Sequence, residues 1–461
     1  MLFKAESKVQ SWRQAIDSYS DIRLLYIFLM GCASGFPWVL IGSNMSGWLQ
    51  DAGLSRAAIG YFGSIFIVYA LNFLWAPLLD RVQLPLLYRW LGQRRSWILL
   101  MQSLILTATL TIAFTNPGYS LLWTSLLALS IAVASATQDV AIDAYRIDII
   151  AGEKLRLPPA AAMAVIGWWT GYSLPGALAF FNADTFGWPA VYLGMAGVQL
   201  LLMLATLYIR EPGKEREQLQ QDASLRYQQQ LGKGGIRGYL VWLSVTVIEP
   251  FAEFFRRNGW GLALAILLFV FLFKIGEAFL GRMSIPFYRE VGFSNEQIAE
   301  YSKLIGWVAM ILFTLLGSAI NIRFGILRGL FIGGVAMAAS NLMFSWIAMV
   351  GPNTNLFLAT ILVDNFTSAF STVAFVSFLT FLTGRAFSAT QYALLASLGN
   401  LGRTTLASFS GELVDFLDGN WALFFTITAL MVIPSLCLLL WIGKRFRQQM
   451  AATANQTDSS A

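Results

Sequence analysis

Asp139, Asp143, Arg146 and Asp148 close a stretch of about fifteen almost purely apolar residues, long enough to read as most of a membrane helix. At 100° per residue, Asp139, Asp143 and Arg146 fall within about 60° of one another, while Asp148 points the opposite way. Charges near a membrane boundary face protein or water, seldom lipid. This stripe therefore reads as a gate or salt bridge against the basic loop around Arg94 and Arg95. Direct handling of substrate or protons by Asp139, the deepest of the four, is the alternative. A second set lies inside other apolar runs: Lys274 and Glu277 one turn apart, then Asp364 and Arg403. Counting 1.5 Å per residue puts all four at roughly 14 to 18 Å depth, in one layer near midplane. Each buried charge costs about 2.5 to 3.5 kcal/mol or more, so pairing or a wet cavity is required. A purely structural network would meet that requirement too. The chain has no histidine. Proton chemistry near neutral pH must then use a buried carboxylate or a buried lysine.

The elements that position these groups follow from composition. Of 461 residues, 57% are hydrophobic and 12% charged, with mean hydropathy +0.63, against roughly 25% charged in soluble domains. The chain reads as an all-α integral membrane protein. A hydrocarbon core of about 30 Å needs about twenty apolar residues per pass, which gives twelve spans: 22–48, 57–79, 96–115, 120–145, 158–181, 188–209, 260–287, 301–322, 326–350, 354–383, 387–415 and 420–442. The N-terminus is too polar for a signal peptide and is expected to stay uncleaved. On this topology 25 of the 31 Lys and Arg lie on one side, so both termini are expected in the cytoplasm. The pI of about 9.3 is thus a topology signal and not one of nucleic-acid binding. The expected organisation is a six-helix bundle over 1–210, a cytoplasmic linker with an interfacial helix over 211–258, a second bundle over 259–446 and a tail over 447–461. Cys32 and Cys437 both lie in apolar runs and make no metal or disulfide framework. The segment LGKGG lacks the spacing of a phosphate-binding loop, and an enzyme would need a nucleophile or a histidine acid–base pair. No cofactor or metal is expected.

The halves echo each other. PLLDRVQLPLLYRWLGQRRSW joins spans two and three, and GSAINIRFGILRGL joins spans eight and nine. Each places a short polar residue and an arginine, Asp80-Arg81 or Asn321 and Arg323, at a helix end before further basic residues. A duplicated six-helix unit of this kind resembles the major facilitator superfamily, whose signature at these loops is a glycine, an Asp-Arg pair and a basic cluster; here an insertion precedes Gly92. That resemblance implies gating roles for Asp80, Arg81, Arg94, Arg95, Asp143 and Arg146.

More narrowly, GCASGFPWVLIGSNMSGWL, FLWAPLLDR, SATQDVAIDAYR, EPFAEFFRRNGW leading into LFKIGEAF, and FSATQYALLASLGNLGR resemble corresponding segments of the AmpG muropeptide permeases, in order from span one to span eleven. The resemblance implies import of N-acetylglucosaminyl-anhydromuramyl peptides from the periplasm across the bacterial inner membrane, driven by protons, during peptidoglycan recycling. Some members of that family carry further C-terminal spans, for which this chain has no room; related shorter permeases carry siderophores or acyl-CoA. A proton-driven permease for a siderophore or another anionic amphiphile is therefore the alternative. A muropeptide joins a neutral disaccharide to an anionic peptide stem, so its site needs aromatic faces, hydrogen-bonding groups and cations. Trp168, Trp169, Tyr172 and Asn44 are candidates for the first two, with at most one tryptophan of the pair lining the pore, and Tyr69 and Asn72 are further ones. Gln138 is added on family grounds, and Lys274 and Arg403 are the cations. For proton coupling the candidates are Asp364, Glu277 and Asp139, with Asp364 and Glu277 expected to pair with Arg403 and Lys274 until substrate claims a cation. The expected partners are a small glycopeptide, protons and membrane lipid, and the expected state is a monomer.

Overall fold

The computed structural model describes residues 13, 17–55, 62–150, 152–213, 215–231, 235–294 and 297–459. The first residues of the opening segment and of the second expected span lie outside them. Every regular element among the described residues is a helix.

Ten helices are long and apolar enough to cross a membrane among the described residues, against twelve passes expected, and each difference has a local cause. The fifth and sixth spans run together as Leu157–Tyr208, because the chain turns at Gly187 (φ 76°) without a loop. A positive φ suits glycine, which has no Cβ to clash. The second span is broken into short turns, Gly63–Leu74 and Ala76–Arg81, around Asn72 and Pro77. The eleventh, Ser388–Ala407 followed by Ser410–Phe416, carries Gln391, Asn400 and Arg403 and is too polar to qualify by hydropathy. Conversely, Gly238–Asn258 qualifies by composition, yet it packs on the linker helix Glu215–Leu231 and on the ends of the second, seventh and eleventh spans. The remaining spans are Ile22–Asp51, Gln93–Ala113, Leu121–Ile150, Trp260–Val291, Glu300–Phe324, Ile326–Val350, Thr354–Leu382 and Trp421–Gln448. The last helix continues to Ser459, beyond the tail boundary expected at 446, through a Gln- and Ala-rich segment of good helix formers.

Two features set the walls of the interior. Gly31 and Gly35 of the first span face Gly167 and Gly171 of the fifth so closely that a Cβ on Gly35 would lie 2.1 Å from the Trp168 carbonyl oxygen. Such paired small-xxx-small patterns let helix backbones touch, and here they fix the height and direction of Trp168. The halves then meet through pairs related by the duplication: the second span against the eleventh, and the fifth against the eighth. Near the loops joining spans two to three, four to five, six to seven and ten to eleven, hereafter the basic face, Ala389 and Ala393 of the eleventh span insert among Tyr26, Val140 and Tyr145 of the first half. That end of the bundle is closed.

Candidate functional site

The closure at the basic face is a polar latch. Arg94, fully buried at the start of the third span, donates from Nη2 to Asp80 Oδ1 (2.8 Å) and to Ser388 Oγ (2.8 Å), and from Nε to Asp148 Oδ2 (2.8 Å). Ser388 in turn donates to Asp148 Oδ1 (2.6 Å). Asp80 reaches across the halves to the first turn of the eleventh span. It accepts from the backbone N–H of Ala389 (3.2 Å) and Thr390 (2.9 Å) and from the Thr390 hydroxyl (2.7 Å). A carboxylate at a helix N-terminus satisfies orphan N–H groups and complements the dipole. Buried pairs of this kind add little net stability while intact, but losing one partner costs about 3 to 5 kcal/mol because a charge is stranded. A second tie lies nearby: Arg146 donates to Asp143 Oδ1 (3.0 Å) in its own helix and to Thr380 Oγ1 (2.8 Å) of the tenth span, and stacks 5.0 Å over the Tyr392 ring. The linker helix straps both halves, with Gln220 donating to the Asp80 carbonyl (3.2 Å) and the Ala386 carbonyl (2.6 Å).

Behind this latch lies a cavity of about 990 Å³ lined by both halves, at the top of the range for small-molecule sites. Its lining begins at Asp143 and Tyr392, each one helical turn from a latch residue, and runs away from the basic face to Arg282, Arg403 and Ala407. The first half contributes an aromatic wall. Trp38 packs 4.3 Å from Tyr69, 4.8 Å from Phe66 and 5.9 Å from Trp168, and Trp168 stacks on Tyr172 at 5.3 Å. Trp38 Nε1 is buried beside Asp139, and the Tyr69 hydroxyl is buried beside Ser135. Asp139 lies in the same wall and accepts from Ser34 Oγ (2.6 Å).

The second half contributes charge. Lys274 sits where the seventh span breaks, and its ammonium is buried among the Glu277 carboxylate, Ser371 Oγ (2.8 Å) and Thr372 Oγ1 (3.1 Å). Glu277 lines the cavity and also accepts from Ser368 Oγ (2.7 Å). Asp364 lines it too and accepts from Ser340 Oγ (3.1 Å). Asp364, Ser368 and Ser371 with Thr372 recur at helical spacing, so the tenth span turns one hydroxyl-rich face to the seventh. Arg403 projects into the open cavity.

Several expectations are corrected by this geometry. Arg403 makes no ion pair among the described residues, and Asp364 is held by a serine hydroxyl, because Arg403 extends into the cavity space instead of across it. The basic loop meets Asp148 and not the Asp139/Asp143/Arg146 face, which looks across the halves to the tenth and eleventh spans. Arg95 ties down its own half, donating to the carbonyls of Thr206 (3.1 Å) and Leu207 (2.6 Å), and Arg81 donates to Ser224 of the linker (3.3 Å). Gln138 is buried in packing, donating to the Ala33 carbonyl (2.7 Å), and Asn44 is buried in a π-turn; neither lines the cavity. Of the tryptophan pair, Trp168 lines it and Trp169 does not. Asp148, Ser388 and Thr390 were not expected at the site. The Ser-Ala-Thr start of the eleventh span was the available sign, since hydroxyl residues mark helix starts.

No family model matches the chain. It is 33% identical over 429 residues to the protein named AmpG 4 of Rickettsia felis, covering 93% of this chain and 98% of that one. It is 30% identical over 429 residues to the anhydromuropeptide permease of Escherichia coli K12, covering 93% of this chain and 81% of that one. Among solved structures it is similar to the major facilitator proton:xylose symporter XylE, with a TM-score of 0.65 at 15% identity over 94% of this chain and 96% of that one. At that identity the likeness concerns the fold.

Proposed function

The chain belongs to the AmpG family of permeases and has the major facilitator fold, and from that premise we propose that it carries N-acetylglucosaminyl-anhydromuramyl peptides inward across the bacterial inner membrane by proton symport. It is a transporter and not an enzyme, as its named relatives are. The observation that carries the substrate reading is the division of the cavity wall. An aromatic surface of Trp38, Phe66, Tyr69 and Trp168 faces a charged surface with Arg403 at its edge. Sugar rings stack on aromatic faces, and the anionic stem takes the Arg403 guanidinium.

Direction follows from charge and shape together. Placing the Lys- and Arg-rich loops in the cytoplasm makes the closed face the cytoplasmic one, so the cavity accepts substrate from the periplasm. Labelling of a cysteine at Ser224 tests this placement: an impermeant reagent applied to intact cells should not reach it, and labelling would reverse the topology. Inward release then requires the Arg94, Asp80, Asp148 and Ser388 cluster to separate, with Arg146 leaving Thr380 and Tyr392. Proton coupling falls to the cavity carboxylates without a cation, Asp364 in the second half and Asp139 in the first; Glu277 stays with Lys274. The deciding experiment is uptake of labelled anhydromuropeptide and of a siderophore into right-side-out vesicles, with and without a proton gradient. Gradient-dependent uptake of the muropeptide alone is expected. Uptake of the siderophore alone would replace the substrate, and gradient-independent uptake would remove the symport.

A further inference from the structure

We propose a second ligand site, distinct from the transport cavity: an anion site at the basic face that takes a phosphate ester on Arg216 and Arg210. Two cavities of about 410 and 500 Å³ adjoin there and share Asp148, Glu211 and Arg216 in their walls. Arg216, in the first turn of the linker helix, is more than nine-tenths buried, and its Nη1 has no hydrogen-bond partner among the described residues. A buried guanidinium with an idle donor is costly, since each unpaired polar group forfeits its hydration. Burial, together with Arg94 beside it, pushes the Arg216 pKa below its usual range.

The carboxylates nearby are engaged elsewhere. Asp148 holds Arg94 and Ser388. Glu211 accepts the backbone N–H groups of Arg94 (2.8 Å) and Arg95 (3.1 Å). Asp21 is taken by Arg23 (2.8 Å). Arg210 lines the smaller of the two cavities and makes no ion pair among the described residues. Two arginines thus line one space, and planar guanidinium forks match a phosphate or carboxylate bidentately. The volume exceeds what inorganic phosphate needs, and Tyr26, Ile147 and Ile149 supply an apolar wall for an organic group. The shared chemistry is a phosphate ester, from a lipid headgroup or from a soluble metabolite. An anion held there would fix the first turn of the helix whose Gln220 straps both halves, and so would favour the closed latch.

The test uses the full-length protein, purified and stripped of lipid. Binding of glycerol 3-phosphate and of dihexanoyl-phosphatidylglycerol is measured by calorimetry and by the shift of the unfolding midpoint, for wild type, Arg216→Gln, Arg216→Lys and Arg210→Gln. Arg445→Gln, remote from both cavities, is the control. At least one probe should bind wild type and the control alike. Its affinity should fall about tenfold or more in both glutamine variants, the size of one charge-assisted hydrogen bond, with partial recovery in Arg216→Lys. Binding of glycerol 3-phosphate would assign a soluble ligand, and binding of the short-chain lipid alone would assign a headgroup. Should Arg216→Gln fail to fold, Arg210→Gln and Arg216→Lys carry the comparison. Absence of binding to wild type by either probe, or wild-type affinity in Arg210→Gln and the Arg216 variants, would overturn the proposal.

Discussion

Asp80 and Asn321 hold equivalent places in the two six-helix units, at the basic-face ends of the second and eighth spans, yet they do different work. Asp80 meets Arg94 of its own half and reaches across to the first turn of the eleventh span. Asn321 stays within its own half, donating to the carbonyls of Gly317 (2.8 Å) and Phe370 (3.3 Å), and its Oδ1 has no partner among the described residues. The cavity walls differ in the same way, aromatic in the first half and ionic in the second. The duplication therefore repeats the scaffold and not the electrostatics. The NH2 of a neutral amide can be satisfied by two carbonyls at close range, whereas a buried carboxylate demands cations and N–H donors wherever they are found. Here the cation is Arg94 of the same half and the N–H donors are those of Ala389 and Thr390 on the opposite half, which places a charged cluster across the closed face.

The largest expected effect concerns the carboxylates without a cation. Asp364→Asn, which mimics the protonated acid, should abolish gradient-driven accumulation in vesicles while counterflow exchange stays measurable. If accumulation survives there and is lost instead in Asp139→Asn, coupling belongs to the aromatic half and the division between the walls fails. Next in size, Asp80→Asn gives the first unit the amide that the second carries at Asn321. It should cost about 3 to 5 kcal/mol of closed-state stability, and a cysteine at Ala393 should become reactive from the basic face. Unchanged protection of that cysteine would mean the latch is redundant. A smaller effect is expected for Trp168→Ala: affinity for muropeptide should weaken about fivefold, in keeping with roughly 1 kcal/mol for a lost aromatic stack, with the coupling unaltered. The smallest concerns Asp143→Asn. Because Arg146 keeps Thr380 and Tyr392, the transport rate should change a few-fold at constant affinity, an effect worth under about 1 kcal/mol. A large loss of affinity would move Asp143 from the latch to the binding wall.

The all-helical membrane class, most of the apolar helices and the inventory of charges within them were legible in the chain alone. Hydropathy over about twenty residues, the bias of Lys and Arg, and the cost of burying charge depend only on local composition. So was the angle between Asp139, Asp143 and Arg146, since helical periodicity sets it. What faces each angle was not legible. Asp148 was expected to point away from the stripe, yet that direction is where Arg94 lies. Gln138 meets a backbone carbonyl of the first span, and Arg403 opens into the cavity and leaves Asp364 to a serine. Periodicity fixes directions around one helix axis, but the neighbour in each direction is set by how closely helices approach and how they are turned. In this protein those quantities hang on contacts such as Gly35 against Trp168 and Asp80 against Thr390, which join residues far apart in the chain and exist only once the bundle has packed.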